Sequence, residues 1–116
     1  MLEYSGPLVS VNERYGVAKT GRLYLSPKYR NFVDALVLSF NRSGEKYGKR
    51  KIVVGIIMYC SETQDIDGSI KPVLDALQKA GVIWNDKMIY GLTVQKEISA
   101  SHGLVVHIAP LEPPLS

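Results

Sequence analysis

The sequence predicts an α+β fold, close to α/β: a small mixed β-sheet with two helices, in the order β-α-β-α-β-β. Three observations predict it. Ile52 to Tyr59 is apolar on both faces, the pattern of a central strand. Two segments carry helical spacing between residues that start and stop helices. Two further strand-like segments, about 88–98 and 103–109, close the chain. The length of 116 residues suits one domain spanning 1–116.

The elements follow in order. Residues 2–11 hold a first strand, interrupted at Gly6-Pro7. Residues 12–25 are polar, basic and Tyr-rich, and fit an irregular loop or a short hairpin. Ser26-Pro27 starts a helix, with Ser at the N-cap and Pro at the first helical position. Phe32, Ala35, Leu36 and Leu38 continue it at helical spacing to about 41, and Asn41-Arg42-Ser43-Gly44 ends it. The basic stretch Lys46 to Lys51 leads into the apolar strand. Asp65-Ile66-Asp67-Gly68-Ser69 then opens a second helix with Asp67 as its N-cap. Ile70, Val73, Leu74 and Leu77 form its apolar face, and Gly81 stops it. Val82-Ile83-Trp84 is a short apolar run before a turn at Asn85-Asp86. The last two strands join near Ser101-His102-Gly103. Residues 110–116, rich in proline, are expected to be a flexible tail.

Composition narrows the function. Apolar residues make up 46% and charged residues 22%, the ordinary balance of a folded domain. No apolar run approaches the roughly 18 residues of a membrane span, and the N-terminus has no signal-peptide pattern. No membrane partner is expected. The single cysteine, Cys60, excludes an internal disulfide and a Cys-rich zinc site, and suggests the cytoplasm. The net charge of +3 is unevenly spread. Residues 1–51 carry ten Lys or Arg against four acids, and the remainder four against seven. A basic half suits a polyanion such as nucleic acid, or is simply a solvated surface.

Three acids draw the chemistry. In extended chain, residues i and i+2 point the same way, so Asp65 and Asp67 can present two carboxylates at one spot. Like charges so placed repel, and a divalent cation relieves them. Oxygen ligands favour Mg²⁺ or Mn²⁺. The alternative is that Asp67 caps the helix and Asp65 is solvated. Lys71 lies four residues after Asp67 and Asp75 four further on. They form either a solvated ladder or a fixed cation beside a metal site. Asp86 is ordinary turn chemistry, unless the returning chain brings it near Asp65 and Asp67. No Ser/His/Asp or Cys/His pair competes, and His102 and His107 fit structural places on opposite strand faces. Arg14, Lys19, Arg22, Lys28 and Arg30 are interleaved with Tyr15, Tyr24 and Tyr29. Such a surface can hold phosphates and stack on bases, although Tyr29 better suits packing against the sheet.

The run Asp65-Ile66-Asp67-Gly68-Ser69-Ile70-Lys71-Pro72-Val73-Leu74-Asp75-Ala76-Leu77, continued through Gly81-Val82-Ile83-Trp84-Asn85-Asp86, resembles the core signature of the RusA family of Holliday junction resolvases. Asn12-Glu13-Arg14-Tyr15 and Ser26-Pro27-Lys28-Tyr29-Arg30 are similar to that family's N-terminal segments. The likeness runs from about residue 8 to 108. It implies a RusA-like fold and a Mg²⁺-dependent, structure-selective endonuclease that resolves four-way junction DNA by paired symmetric nicks in recombination and repair. It implies Asp65, Asp67 and Asp86 as metal ligands, with Lys71 as a fourth catalytic residue. Asn12, Arg14, Tyr15, Lys19, Arg22 and Lys28 become the DNA-binding set. Two symmetric nicks imply a C2 homodimer, and family membership implies a bacterial or prophage origin. Gly68 departs from the family, which usually has Asn there. That departure keeps a broader flap or fork nuclease in view, beside a junction- or single-strand-binding module that does not cut.

Overall fold

The computed structural model describes residues 1–111. Strand β1 (Leu2–Ser5) is followed by a 3-10 turn (Val11–Glu13) and a hairpin of β2 (Tyr15–Val17) and β3 (Leu23–Leu25). Helix α1 (Pro27–Ser43), strand β4 (Ile52–Cys60) and helix α2 (Ile70–Lys79) come next. A 3-10 turn (Asp86–Met88) leads into β5 (Ile89–Ile98) and β6 (Gly103–Pro110). The main sheet has the order β1-β6-β4-β5, and β2-β3 forms a separate two-stranded sheet. β4 pairs parallel with β5 and antiparallel with β6. It is therefore central, as its apolar character predicts.

Local chemistry accounts for the helix ends. The Ser26 hydroxyl accepts the Tyr29 N–H at 3.0 Å, and Pro27 occupies the first turn of α1. Gly44 ends α1 with φ +71°, a conformation that glycine adopts freely. Helix α2 starts later than the sequence predicts. Its N-cap is Ser69, whose side chain caps no helical N–H and donates instead to the Val9 carbonyl at 3.3 Å. Asp67 gives only its backbone carbonyl, to the Ile70 N–H at 3.3 Å. The reading of Asp67 as helix cap is thus corrected.

Two other expectations change. The first strand ends at Ser5, and beyond Gly6-Pro7 the chain leaves the sheet while still burying Leu8 and Val9. Pro110 ends β6, and the Leu111 N–H donates to the Lys51 carbonyl at 2.9 Å. The predicted tail therefore does not begin at 110, and residues 112–116 lie outside the described residues.

The core lies on one face of the main sheet. Ile52, Val54, Ile56, Met58 and Cys60 alternate into it from β4, joined by Leu104, Val106 and Leu2. Tyr29, Phe32, Leu36 and Phe40 of α1 and Val73, Ala76 and Leu77 of α2 cover them. The opposite face of β4, with Val53, Gly55, Ile57 and Tyr59, is only half-buried. Register places His107, Thr93 and Gly91 beside it. A concavity of about 490 Å³ opens there, lined by Val53, Gly55, Gly91, Thr93, His107 and Ala109 among others.

Candidate functional site

Asp65 and Asp67 lie in the loop between β4 and α2, both exposed. Their carboxylates make no hydrogen bond or ion pair among the described residues. This loop is held in three ways. The Lys96 ammonium, from β5, donates to the carbonyls of Glu62 and Gln64, each at 2.8 Å. The Val11 N–H donates to the Gly68 carbonyl at 2.7 Å, and Ser69 is tied to Val9 as described. The loop is therefore braced while its two carboxylates face water.

Gly68 has a steric reason. It is buried, and a Cβ built on it would lie 2.7 Å from Ser10 Oγ and 3.1 Å from Ser10 Cβ. Ser10 cannot easily withdraw. Its hydroxyl accepts the Asn12 N–H at 3.1 Å, and its own N–H donates to Glu13 Oε2 at 3.1 Å in a capping box. The close approach brings Asn12, exposed on its 3-10 turn, alongside the acidic loop.

Lys71 projects from the first turn of α2. Its Nζ lies 3.5 Å from Asp75 Oδ1, a long contact with the lysine side chain 53% exposed. Such a pair is worth at most a few tenths of a kcal/mol, so Lys71 is free to leave it for a phosphate. The Asp67 arm of the expected ladder does not form, because Asp67 precedes the helix. Asp75 also acts on Tyr29. Burial pushes the Tyr29 hydroxyl up, and the Asp75 carboxylate pushes it further. That hydroxyl is buried without a partner among the described residues.

Asp86 is not brought to Asp65 and Asp67. Its N–H donates to Gln78 Oε1 at 3.3 Å, which places it by the C-terminal end of α2. Asp67 sits before the N-terminal end. From Ile70 to Gln78 the helix rises about 12 Å along its axis. Among the described residues no group of three His, Cys, Asp or Glu side chains is placed to hold a metal. The described residues of one chain therefore do not gather Asp65, Asp67 and Asp86 into one group.

The basic segment divides by role. Lys19 and Arg22 lie at the exposed tip of the β2–β3 hairpin, and Tyr15 is 54% exposed at its base. Arg14 is committed inward. Its guanidinium lies 5.1 Å from the Tyr15 ring and 6.0 Å from the Tyr29 ring, and its Nε is buried without a partner among the described residues. Lys28 pairs with Glu13 at 2.6 Å. That hydrogen bond, with the one from the Ser10 N–H, holds the Glu13 carboxyl below its usual range. Tyr29 is 4% exposed and belongs to the core, as expected.

Sequence reasoning missed Lys96 and the bracing contact of Gly68. Lys96 did leave a signal. It falls on the same strand face as Leu92, Val94 and Ile98, opposite the inward side of β4. A lysine in such a row needs acceptors, and the carbonyls of the acidic loop supply them.

A braced loop whose two carboxylates are unpartnered among the described residues, with a loosely paired lysine one turn on, presents groups that phosphodiester hydrolysis uses. The chain belongs to the endodeoxyribonuclease RusA family, whose family model matches residues 5–109. It is similar to a protein of Aquifex aeolicus (strain VF5) described as crossover junction endodeoxyribonuclease RusA. The two are 28% identical over 111 residues, covering 91% of this chain and 87% of the relative. The protein is thus a DNA-cutting nuclease. Among the described residues, no helix is long and apolar enough to cross a membrane.

Proposed function

We propose that this protein is a Mg²⁺-dependent, structure-selective endonuclease that resolves four-way DNA junctions by paired nicks, acting as a homodimer in a bacterial or prophage-derived cytoplasmic setting. The observation that carries the metal assignment is the release of Asp67 from capping. Two adjacent carboxylates face solvent with no cationic side chain paired to them among the described residues, a donor set that fits Mg²⁺ or Mn²⁺. Asp65 and Asp67 would hold the ion. When bound, it activates water and neutralises phosphoryl oxygens.

The chain's own residues do the rest. Lys71 leaves Asp75 for a phosphoryl or leaving oxygen, where a fixed cation stabilises developing charge. Lys19 and Arg22 draw in the backbone, and Asn12 borders the strand at the acidic loop. Lys96 keeps that loop still.

The separation of Asp86 supports the dimer. A third carboxylate held at the Gln78 end of α2, and in no three-acid group among the described residues, can complete the site from another copy. The half-buried apolar face of β4 is a surface that a second copy can cover. A junction has two-fold symmetry, so a C2 pair offers one site to each of two equivalent strands.

One complementation experiment tests both parts. Asp67→Asn and Asp86→Asn homodimers should each fail to cut a labelled four-way junction in Mg²⁺, yet bind it in EDTA. After subunit exchange, the mixture should regain nicking. A mixed dimer has one site with both acids intact when the acids come from different copies, and none when they come from one. No recovery after verified exchange refutes the shared site. Cutting by Asp67→Asn alone refutes the metal assignment.

A further inference from the structure

Beyond Leu25, which packs against the core, the β2–β3 hairpin projects from the fold, yet it is built with care. Its strands form their own sheet, with Tyr15 opposite Leu25 and Val17 opposite Leu23. Directly paired residues share a face, so Tyr15, Val17, Leu23 and Leu25 line one side. Val17 is 66% and Leu23 64% exposed there. On the other side the Tyr24 ring lies over Gly16, where a Cβ would collide with it. The base is fastened by Ser26, whose N–H donates to the Arg14 carbonyl at 2.9 Å and whose hydroxyl donates to the Glu13 carbonyl at 2.7 Å. At the tip, the Ala18 N–H donates to the Arg22 carbonyl at 2.9 Å and the Gly21 N–H to the Ala18 carbonyl at 2.8 Å.

A free two-stranded hairpin is marginal in water, and this one also exposes aliphatic side chains. Its charge indicates what covers them. Residues 14–25 carry Arg14, Lys19 and Arg22 and no acid. A cationic tip with an apolar flank fits a polyanion whose interior is apolar, namely DNA with its bases parted. The stem reinforces this choice. It runs directly into the 3-10 turn that docks on Gly68, next to Asp65 and Asp67. Anything seated on the hairpin is therefore held at a set distance from those acids.

We infer that the β2–β3 hairpin is a wedge: Val17 and Leu23 enter the branch point of the junction and hold its bases apart, while Lys19 and Arg22 take the flanking phosphates. Each strand spans about 10 Å, the rise of roughly three base pairs. Apolar side chains part base steps in this way in other DNA-bending proteins, and the cost is least where pairing is already interrupted. The inference rests on the junction-cutting reading, and it adds how the branch point is recognised.

The test is Val17→Ser combined with Leu23→Ser on the full chain, using a junction with 2-aminopurine at the branch point. In EDTA the wild-type protein should raise the 2-aminopurine fluorescence, and the double variant at saturating concentration should not. Its junction affinity should fall about tenfold, as for one lost base-stacking contact. In Mg²⁺ it should cut a fully paired junction slowly, and a junction carrying unpaired bases at the branch point near the wild-type rate. Thermal unfolding should be unchanged, since both side chains are exposed. Equal fluorescence with both proteins, or no rescue by unpaired bases, overturns the wedge. So does loss of the dimer on sedimentation, which assigns this face to a second copy. If the wild type cuts nothing, the nuclease reading fails separately, and the EDTA fluorescence still decides the wedge.

Discussion

Gly68→Ala adds one methyl group where the structure leaves no room for it. The new Cβ would lie 2.7 Å from Ser10 Oγ and 3.1 Å from Ser10 Cβ, against a comfortable carbon separation of about 3.5–4.0 Å. The two segments cannot slide apart cheaply, because the Val11 N–H to Gly68 carbonyl bond and the Ser69 to Val9 bond clamp them. Overpacking of this kind costs about 1–3 kcal/mol. Gly68 does not have positive φ, so backbone strain adds nothing. Loss of unfolded-state freedom returns about 0.4–1 kcal/mol, leaving a net loss centred on about 1 kcal/mol. Ser10→Gly removes the obstructing atoms and, as a cap change from Ser to Gly, costs only a few tenths of a kcal/mol. In the Ser10→Gly background, Gly68→Ala should therefore cease to destabilise. Urea unfolding of the four proteins measures this coupling directly. Additive effects, or a single Gly68→Ala variant as stable as wild type, would refute the close-packing account. The family's usual Asn meets the same obstacle, so Gly68→Asn should need the same relief.

Three further outcomes follow from individual contacts. Lys71→Ala should lower the single-turnover rate by about a hundredfold or more with little change in junction affinity, and Lys71→Arg should not restore it fully, since a planar fork replaces a compact ammonium; near-normal cutting by both variants would remove Lys71 from the chemistry. Lys96→Met should speed hydrogen exchange across residues 61–67 and weaken Mg²⁺ binding by calorimetry while leaving the fold intact, because two carbonyls lose their charged donor; unchanged exchange would show that the loop holds itself. Burial, and then the hydrogen bond to Glu45, push the Tyr47 hydroxyl up to about 12. A raised pKa means that the folded state holds this proton more tightly, so its contribution to stability is complete below pH 10 and is lost as the pH rises towards 12. Tyr47→Phe should shrink the loss of stability over that interval in alkaline urea titrations, and an identical alkaline limb would contradict the assignment.

What the sequence by itself determined was local. Ser26-Pro27 specifies the start of α1 because the capping hydroxyl and the proline act within one turn. The unbroken apolar run of β4 specifies a central strand because a neighbour on each side leaves no polar edge. The pattern from Asp65 to Asp86 carries the family, since it combines many side chains at set spacing. Tertiary structure decided how those parts meet. Asp67 is left uncapped because the Val9–Val11 segment takes the Ser69 hydroxyl and the Gly68 carbonyl, shifting the helix start to Ser69. Asp86 is held at the C-terminal end of α2 by the hydrogen bond of its N–H to Gln78, whereas Asp67 precedes the N-terminal end. Lys96 becomes the brace of the acidic loop only through the pairing of β5 with β4. Spacing along a chain fixes which face of one element a residue occupies. Which end of another element it meets depends on long-range packing, and local pattern does not contain that.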